Sequence, residues 1–213
     1  MSATLIPPSR PSNVGVAQAG GALSGSALRR LPVRRSTIVL IGLLAVYLPF
    51  YGLYFASHAP FSLPHAAAAC GGRPVLDTGW ARTAQAAHEY LVACGSAGRA
   101  AIVHQQLADL LYAGLYAAVL VAAFGFLLRA AGATARWWRL FLLLPLVTAA
   151  LDYLENLGIW NLLARYPGSG HLVPHLSTVT QVKLALGYTC LATLAVLTLA
   201  AVVVRLRRRR AAR

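Results

Sequence analysis

Four stretches of the chain are apolar for long enough to cross a bilayer, at residues 37–57, 105–128, 139–163 and 178–204. A helix rises about 1.5 Å per residue, so about 20 residues span the hydrocarbon core. Each stretch is predicted to be a transmembrane helix, with a kink at Pro49 in the first. Residues 58–104 carry Pro60, Pro64, Gly71-Gly72 and Pro74, the marks of a loop. Within them Asp77 or Thr78 is expected to cap a short helix running through Trp80, Ala84, Ala87, Tyr90 and Leu91 and ending at Gly95 or Gly98. Its apolar residues recur at helical spacing, which predicts a helix lying on the membrane surface. Residues 129–138 form a short turn in which Arg129, Arg136, Trp137 and Trp138 give an aromatic anchor. Residues 164–177, with Pro167, Gly168, Gly170 and Pro174, form a second loop. The predicted fold is all-α: a polytopic four-helix transmembrane bundle over 36–206, with an amphipathic helix in its first outer loop and a basic tail at 207–213. Residues 1–35, rich in Ser, Gly, Ala and Pro, lack periodicity and read as a disordered basic tail.

Composition agrees with the pattern. The 213 residues are 58% hydrophobic and 11% charged, against about 25% charged in soluble proteins. The net charge of +14 does not point to nucleic acid, because the arginines flank the apolar runs and no basic patch is interleaved with aromatics for base stacking. Five arginines precede residue 36, three lie between 129 and 139, and six follow 204. The positive-inside rule then places both termini and the 129–138 turn in the cytoplasm and the two longer loops outside. Anionic lipid headgroups are the expected partners of the basic ends. The excess of arginine over lysine and the abundance of alanine suggest GC-rich, bacterial coding, hence a bacterial inner membrane. A signal peptide is the rival reading of 37–57, but its apolar core runs only about 7–15 residues, so a retained anchor is preferred. Three alanines before Cys70 are a weak lipoprotein-type signal. Cys70 and Cys94 fall in one outer loop, where they either form a disulfide or stand as two small unpaired residues. Cys190, within the fourth span, reads as packing.

Helical spacing sorts each span into faces. The first carries Tyr47, Tyr51, Tyr54 and His58 on one side; the second carries Gln105, Asp109, Tyr112 and Tyr116; the third Thr148, Asp152, Glu155 and Asn156; the fourth Thr180, Lys183, Gly187 and Cys190. A bundle that turns all four stripes inward hides them from lipid. An ionisable side chain at mid-membrane costs roughly 2.5–3.5 kcal/mol on insertion, which makes the Asp152-Tyr153-Leu154-Glu155-Asn156 cluster the chain's most telling feature. From the span boundaries and the helical rise, Asp109 lies roughly 6 Å, Lys183 roughly 8 Å, Glu155 roughly 12 Å and Asp152 roughly 16 Å below the outer boundary. Arg99, His104, Arg165, His171 and His175 are candidates for a rim.

Three carboxylates then face one ammonium, so the site holds a proton, borrows Arg99 or Arg165, or binds a cation. Asp109, Asp152 and Glu155 are candidate acids and bases. Lys183 is a candidate for neutralising an oxyanion or an anionic headgroup. Tyr51, Tyr54 and Tyr112, with Gln105, Asn156 and Arg99, are candidate ligand contacts, the phenols being able to stack on an organic cation. The bland alternative is helix glue, at about 0.6 kcal/mol per intramembrane hydrogen bond, or a plain buried ion pair. A bundle metal site needs Glu-x-x-His on two helices, and no His stands at that offset from Asp152 or Glu155; no metal or other cofactor is expected. His171 and His175 read as loop residues.

Two stretches together carry a resemblance. Gly95-Ser96-Ala97-Gly98-Arg99 is followed by Gln106, Asp109 and Tyr116, and Leu144-Pro145 is followed by Asp152-Tyr153-Leu154-Glu155-Asn156. They resemble a family of small, uncharacterised bacterial four-helix membrane proteins with G-x-x-G-R, an intramembrane Asp and L-P…D-Y-x-E-N. The resemblance covers residues 90–190 and implies a topology and a shared polar site, not a reaction. Ala101 and Ile102 stand where that pattern often places an aromatic, so no role follows for that position. The leading expectation is an inner-membrane protein that binds an amphipathic or cationic small molecule in an acidic pocket near the outer leaflet. The alternatives are an intramembrane enzyme acting on a lipid or isoprenoid-like substrate, and a scaffold whose polar cluster is structural. A proton-coupled transporter would require a homodimer.

Overall fold

A computed structural model describes residues 33–78, 83–133, 135–168 and 172–212. The tail before residue 33, Trp80 and His171 lie outside the described residues, as do the side chains of Arg136 and Trp137. Among the described residues five α-helices follow one another: α1 (Val33–Ala56), α2 (Leu63–Ala69), α3 (Ala84–Ala130), α4 (Leu143–Ala164) and α5 (Val173–Ala211). Two 3-10 turns, Leu76–Thr78 and Arg136–Leu142, precede α3 and α4. Helices α1, α3, α4 and α5 are each long and apolar enough to cross a membrane. The protein is an all-helical four-helix membrane bundle. Its outward side chains fit lipid: Ile38, Ile41, Leu111, Leu154, Leu191 and Val196 are large, apolar and exposed.

The bundle is not evenly built. Helices α3, α4 and α5 pack mutually, whereas α1 packs chiefly on α3 and on α2. One end of the bundle carries α2, the Leu76–Thr78 turn and the start of α3 as a cap. The other end gathers Arg129, Arg139 and the Arg205–Arg210 run. Two apolar cores occupy the ends. Cys70, Leu76, Tyr90, Leu91, Ile102, Ile159 and Val173 pack beneath the cap. Phe124, Leu128, Cys190 and Leu197 pack near the arginines, with Trp138 and Phe141 against them. Read along α3, α4 and α5, Asp109, Asp152, Glu155 and Lys183 fall between these two cores.

The cap differs from the expected surface helix. Residues 63–69, read as loop, form α2, because Ser62 accepts from the His65 N–H at 3.3 Å and Pro64 suits the first turn. The next helix is capped by Thr83, whose hydroxyl accepts from Ala86 N–H at 3.1 Å, and not by Asp77 or Thr78. As expected it ends at Gly95, where φ 61° and ψ −169° are non-helical; the chain kinks there and resumes helix into the second span. Its first turns bury Ala87, Tyr90, Leu91 and Cys94 against α4 and α5 instead of lying flat on lipid.

The Gly-x-x-Gly-Arg segment has a physical reading in this cap. Gly95 supplies the positive φ that breaks the helix. Gly98 lets α2 approach: a Cβ there would stand 2.7 Å from the Ala69 carbonyl oxygen and 3.1 Å from Cys70 Sγ. Arg99 donates from Nη1 to the Leu91 carbonyl at 2.9 Å, meeting an acceptor on the far side of the break, and its guanidinium lies 4.6 Å above the Tyr166 ring. A disulfide joins Cys70 to Cys94, tying the end of α2 to the residue before the turn.

Candidate functional site

Between the two apolar cores, side chains from α1, the Leu76–Thr78 turn, α3, α4 and α5 form one polar cluster. Gln105 and Asp109 stand one turn apart on α3 and so share a face, as do Asp152, Glu155 and Asn156 on α4. Asp109 is held from two helices. Tyr54 donates its hydroxyl to Oδ1 at 2.7 Å, and Asn156 donates Nδ2 to Oδ2 at 2.9 Å. Gln105 donates to the Tyr54 oxygen and, at 3.0 Å, to Asp77 Oδ2. Gln106 donates to the same Asp77 oxygen at 3.2 Å and to Gln105 Oε1 at 3.0 Å. On the opposite flank Lys183 Nζ lies 3.0 Å from Asp152 Oδ1 and also pairs with Glu155 Oε2. Thr180 donates to Glu155 Oε1.

These two halves form a single electrostatic unit. The Asp77 carboxylate acts on Asp109, Asp152, Glu155 and Lys183, and Asp152 acts on Asp109. Four of the chain's five acidic residues and its one lysine are thereby collected in one place. The charge excess is larger than three carboxylates against one ammonium, because Asp77 joins from the cap. If all ionise, three negative charges stand uncompensated. The donors that meet Asp77 and Asp109 are neutral amides and a phenol. None of Asp77, Gln105, Gln106, Asp109, Asp152, Glu155 and Asn156 is more than 5% exposed, so water does little of the screening. Among the carboxylate and amide oxygens of the cluster, Asp77 Oδ1, Gln106 Oε1 and Asn156 Oδ1 are buried and lack both a hydrogen-bond donor and an ion-pair partner. The cluster is therefore rich in acceptors and poor in cations, the composition of a site for something positively charged.

A cavity of about 20 Å³, the size that holds one water, adjoins the cluster. Glu155, Thr180 and Ser177 give it a polar wall; Leu76, Ile159 and Leu176 give it an apolar one. Of the three candidate acids and bases, only Glu155 lines this space. The oxygens of Asp109 are met by Tyr54 and Asn156 and those of Glu155 by Thr180 and Lys183, which Asp152 shares, so what sets Glu155 apart is its place in the cavity wall. Among the described residues no three His, Cys, Asp or Glu are grouped to hold a metal ion.

Several expected contacts lie elsewhere. The tyrosine stripe of α1 does not turn inward as a whole: Tyr54 is 1% exposed, but Tyr51 is 43% exposed. Tyr51 stacks at the surface on Phe55, with ring centroids 4.6 Å apart, and on Tyr112. Because α1 packs mainly on one helix, only a narrow strip of it can face the site. Tyr112 is half-buried and lies 5.3 Å from the Tyr54 ring, backing that residue and making no bond to the acids. Arg99 is engaged with Leu91 and Tyr166, so it does not supply charge to the cluster. His58, His104, Arg165 and His175 are exposed and form no rim on the acids.

Asp77 and Gln106 are the site residues that periodicity did not select, Asp77 because it stands on a loop and reads as a helix cap. The signal that could have found it is scarcity: the chain has only five acidic residues, and this one stands between Leu76 and a predicted helix. Comparison with protein-family models, with curated proteins and with solved structures finds no match to this chain.

Proposed function

We propose that this is a multi-pass protein of a bacterial inner membrane that binds a cationic, amphipathic small molecule in the acidic cluster, with its arginine-rich end in the cytoplasm and the cluster toward the outer leaflet. Two independent features support the orientation. Arg129, Arg139 and the arginines of 205–210 give one end the larger positive charge, as the positive-inside rule requires of a cytoplasmic face, against Arg73, Arg99 and Arg165 at the other, and the Cys70–Cys94 disulfide lies at that other end, on the side where an oxidising compartment is expected.

The observation that carries the ligand class is the charge balance: four buried carboxylates around one ammonium, with three further oxygens awaiting donors. An amine head in the cavity has the complementary charge and the N–H donors to meet Glu155, which lines it. The cavity's second wall, Leu76, Ile159 and Leu176, suits an apolar body attached to that head. At the size of one water the cavity admits the head alone, so a larger ligand enters with displacement of the Leu176 side chain or of the cap.

The test is mass spectrometry of small molecules that co-purify with the full chain from native membranes. Wild type is expected to retain a cationic amphiphile that Glu155→Gln loses while keeping its fold. Identical small-molecule content in the two proteins contradicts the reading. A catalytic reading rests on one specific observation, that Glu155 alone among the three carboxylates faces the cavity and is paired with Lys183. In that case Glu155 is the acid or base, and the co-purifying molecule is converted by wild type and accumulates unchanged on Glu155→Gln.

A further inference from the structure

The basic end of the bundle holds a second, larger concavity: a cleft of about 520 Å³ between the last turns of α3 and α5. That volume lies within the range of ligand sites. On α5 its wall is one broad helical face carrying Thr198, Ala201, Val202, Val204, Arg205, Arg208, Arg209 and Ala212. The face changes character along its length, apolar up to Val204 and guanidinium from Arg205 onward. Across from it, α3 contributes Phe126, Leu127 and Ala130, again apolar.

The three guanidiniums have no carboxylate side chain near them. Every acidic residue of the chain precedes residue 156, and the ends of α3 and α5 beyond Asp109 and Lys183 carry none. Guanidinium binds phosphate bidentately and loses less in leaving water than an ammonium does. The cleft therefore joins, in order along the membrane normal, an apolar trough at the depth of acyl chains and a cluster of phosphate-binding groups at the depth of headgroups. We infer that it is a binding site for one anionic phospholipid, whose phosphate sits on Arg205, Arg208 and Arg209 and whose acyl chain lies along Phe126, Leu127 and Val202. Arg207 and Arg210, on the same basic run, do not line the cleft, so a built site and a diffuse attraction of the basic tail make different predictions. The site is separate from the acidic cluster and does not depend on the function proposed for it.

The experiment is native mass spectrometry of the full chain released from nanodiscs of equal parts phosphatidylglycerol and phosphatidylcholine. Wild type is expected to keep one phosphatidylglycerol per chain under activation that strips phosphatidylcholine. Replacing Arg205, Arg208 and Arg209 together by Gln is expected to cut that occupancy at least tenfold, while Arg207→Gln with Arg210→Gln leaves it within twofold. Ala201→Trp, which fills the trough and keeps every arginine, is expected to lose the lipid as well, and circular dichroism establishes that each variant stays helical. Equal losses from the two arginine sets would show a diffuse surface effect and overturn the site. Retention of lipid by Ala201→Trp, or displacement of it by millimolar glycerol phosphate, would show a headgroup-only contact and overturn it equally.

Discussion

Tyr51 and Tyr54 stand three residues apart on α1, yet only Tyr54 reaches the site. Its hydroxyl donates to Asp109 and accepts from Gln105, so it joins two hydrogen-bonded partners on α3. Removing it leaves a buried carboxylate oxygen without that donor. Tyr54→Phe is expected to cost about 1–3 kcal/mol, the penalty for an unmet buried group, whereas Tyr51→Phe should stay within about 0.5 kcal/mol, as exposed substitutions do. Thermal unfolding in micelles measures both, and equal effects would contradict the inward position of Tyr54. The inward stripes of α3 and α4 were legible at this scale because period 3.6 sorts Gln105, Asp109, Asp152, Glu155 and Asn156 without knowledge of their neighbours. The difference between two tyrosines of one stripe was not. It depends on how wide a face α1 presents, which its neighbours decide. Asp77 was hidden for the same reason: periodicity ranks residues within a helix and is silent on a loop residue folded back over one.

At the scale of elements, Lys183 of α5 bridges Asp152 and Glu155 of α4, and Tyr54, Asp109 and Asn156 link α1, α3 and α4. Breaking a buried ion pair from one side leaves an uncompensated charge. Lys183→Met is expected to destabilise by about 3–5 kcal/mol, and adding Asp152→Asn and Glu155→Gln is expected to restore most of it. Denaturation of the single and combined variants checks this, and a fully additive triple variant would show that the three groups do not interact. In the cap, Cys70→Ser is expected to migrate differently from wild type on a non-reducing gel. Identical migration, with three free thiols instead of one in the denatured, unreduced wild type, would contradict the bridge. The four spans were legible because length and apolarity suffice to define them. Helix α2 was not, since its Pro64 and the nearby Gly71-Gly72 read as breakers; Ser62 and the proline instead begin the helix and the glycines follow its end. The break at Gly95 was legible, but the packing of 84–94 was not, because its apolar face meets Ile159, Leu162 and Val173, which only the folded bundle brings there.

For the molecule as a whole, charge is segregated lengthwise. Arg129, Arg139 and the arginines of 205–210 occupy one end, and four acids with one lysine lie toward the other, between two apolar cores. A periplasmic reporter fused after residue 72 is expected to be active, and one fused after residue 132 inactive; the reverse pattern would invert the orientation and the depth assigned to the cluster. Fold class followed from composition and hydropathy alone, since an 11% charged chain with four long apolar runs has few other ways to fold. The identity of a ligand did not follow, because the recognising groups come from four helices and a loop and become one site only when packed. The account turns on the claim that this packed cluster selects a cation. The most direct measurement is a binding isotherm in nanodiscs for a long-chain alkylamine and for the alcohol of the same chain length. Wild type is expected to bind the amine at least tenfold more tightly than the alcohol, and Glu155→Gln to erase that preference. Equal affinity of wild type for the two compounds would contradict it.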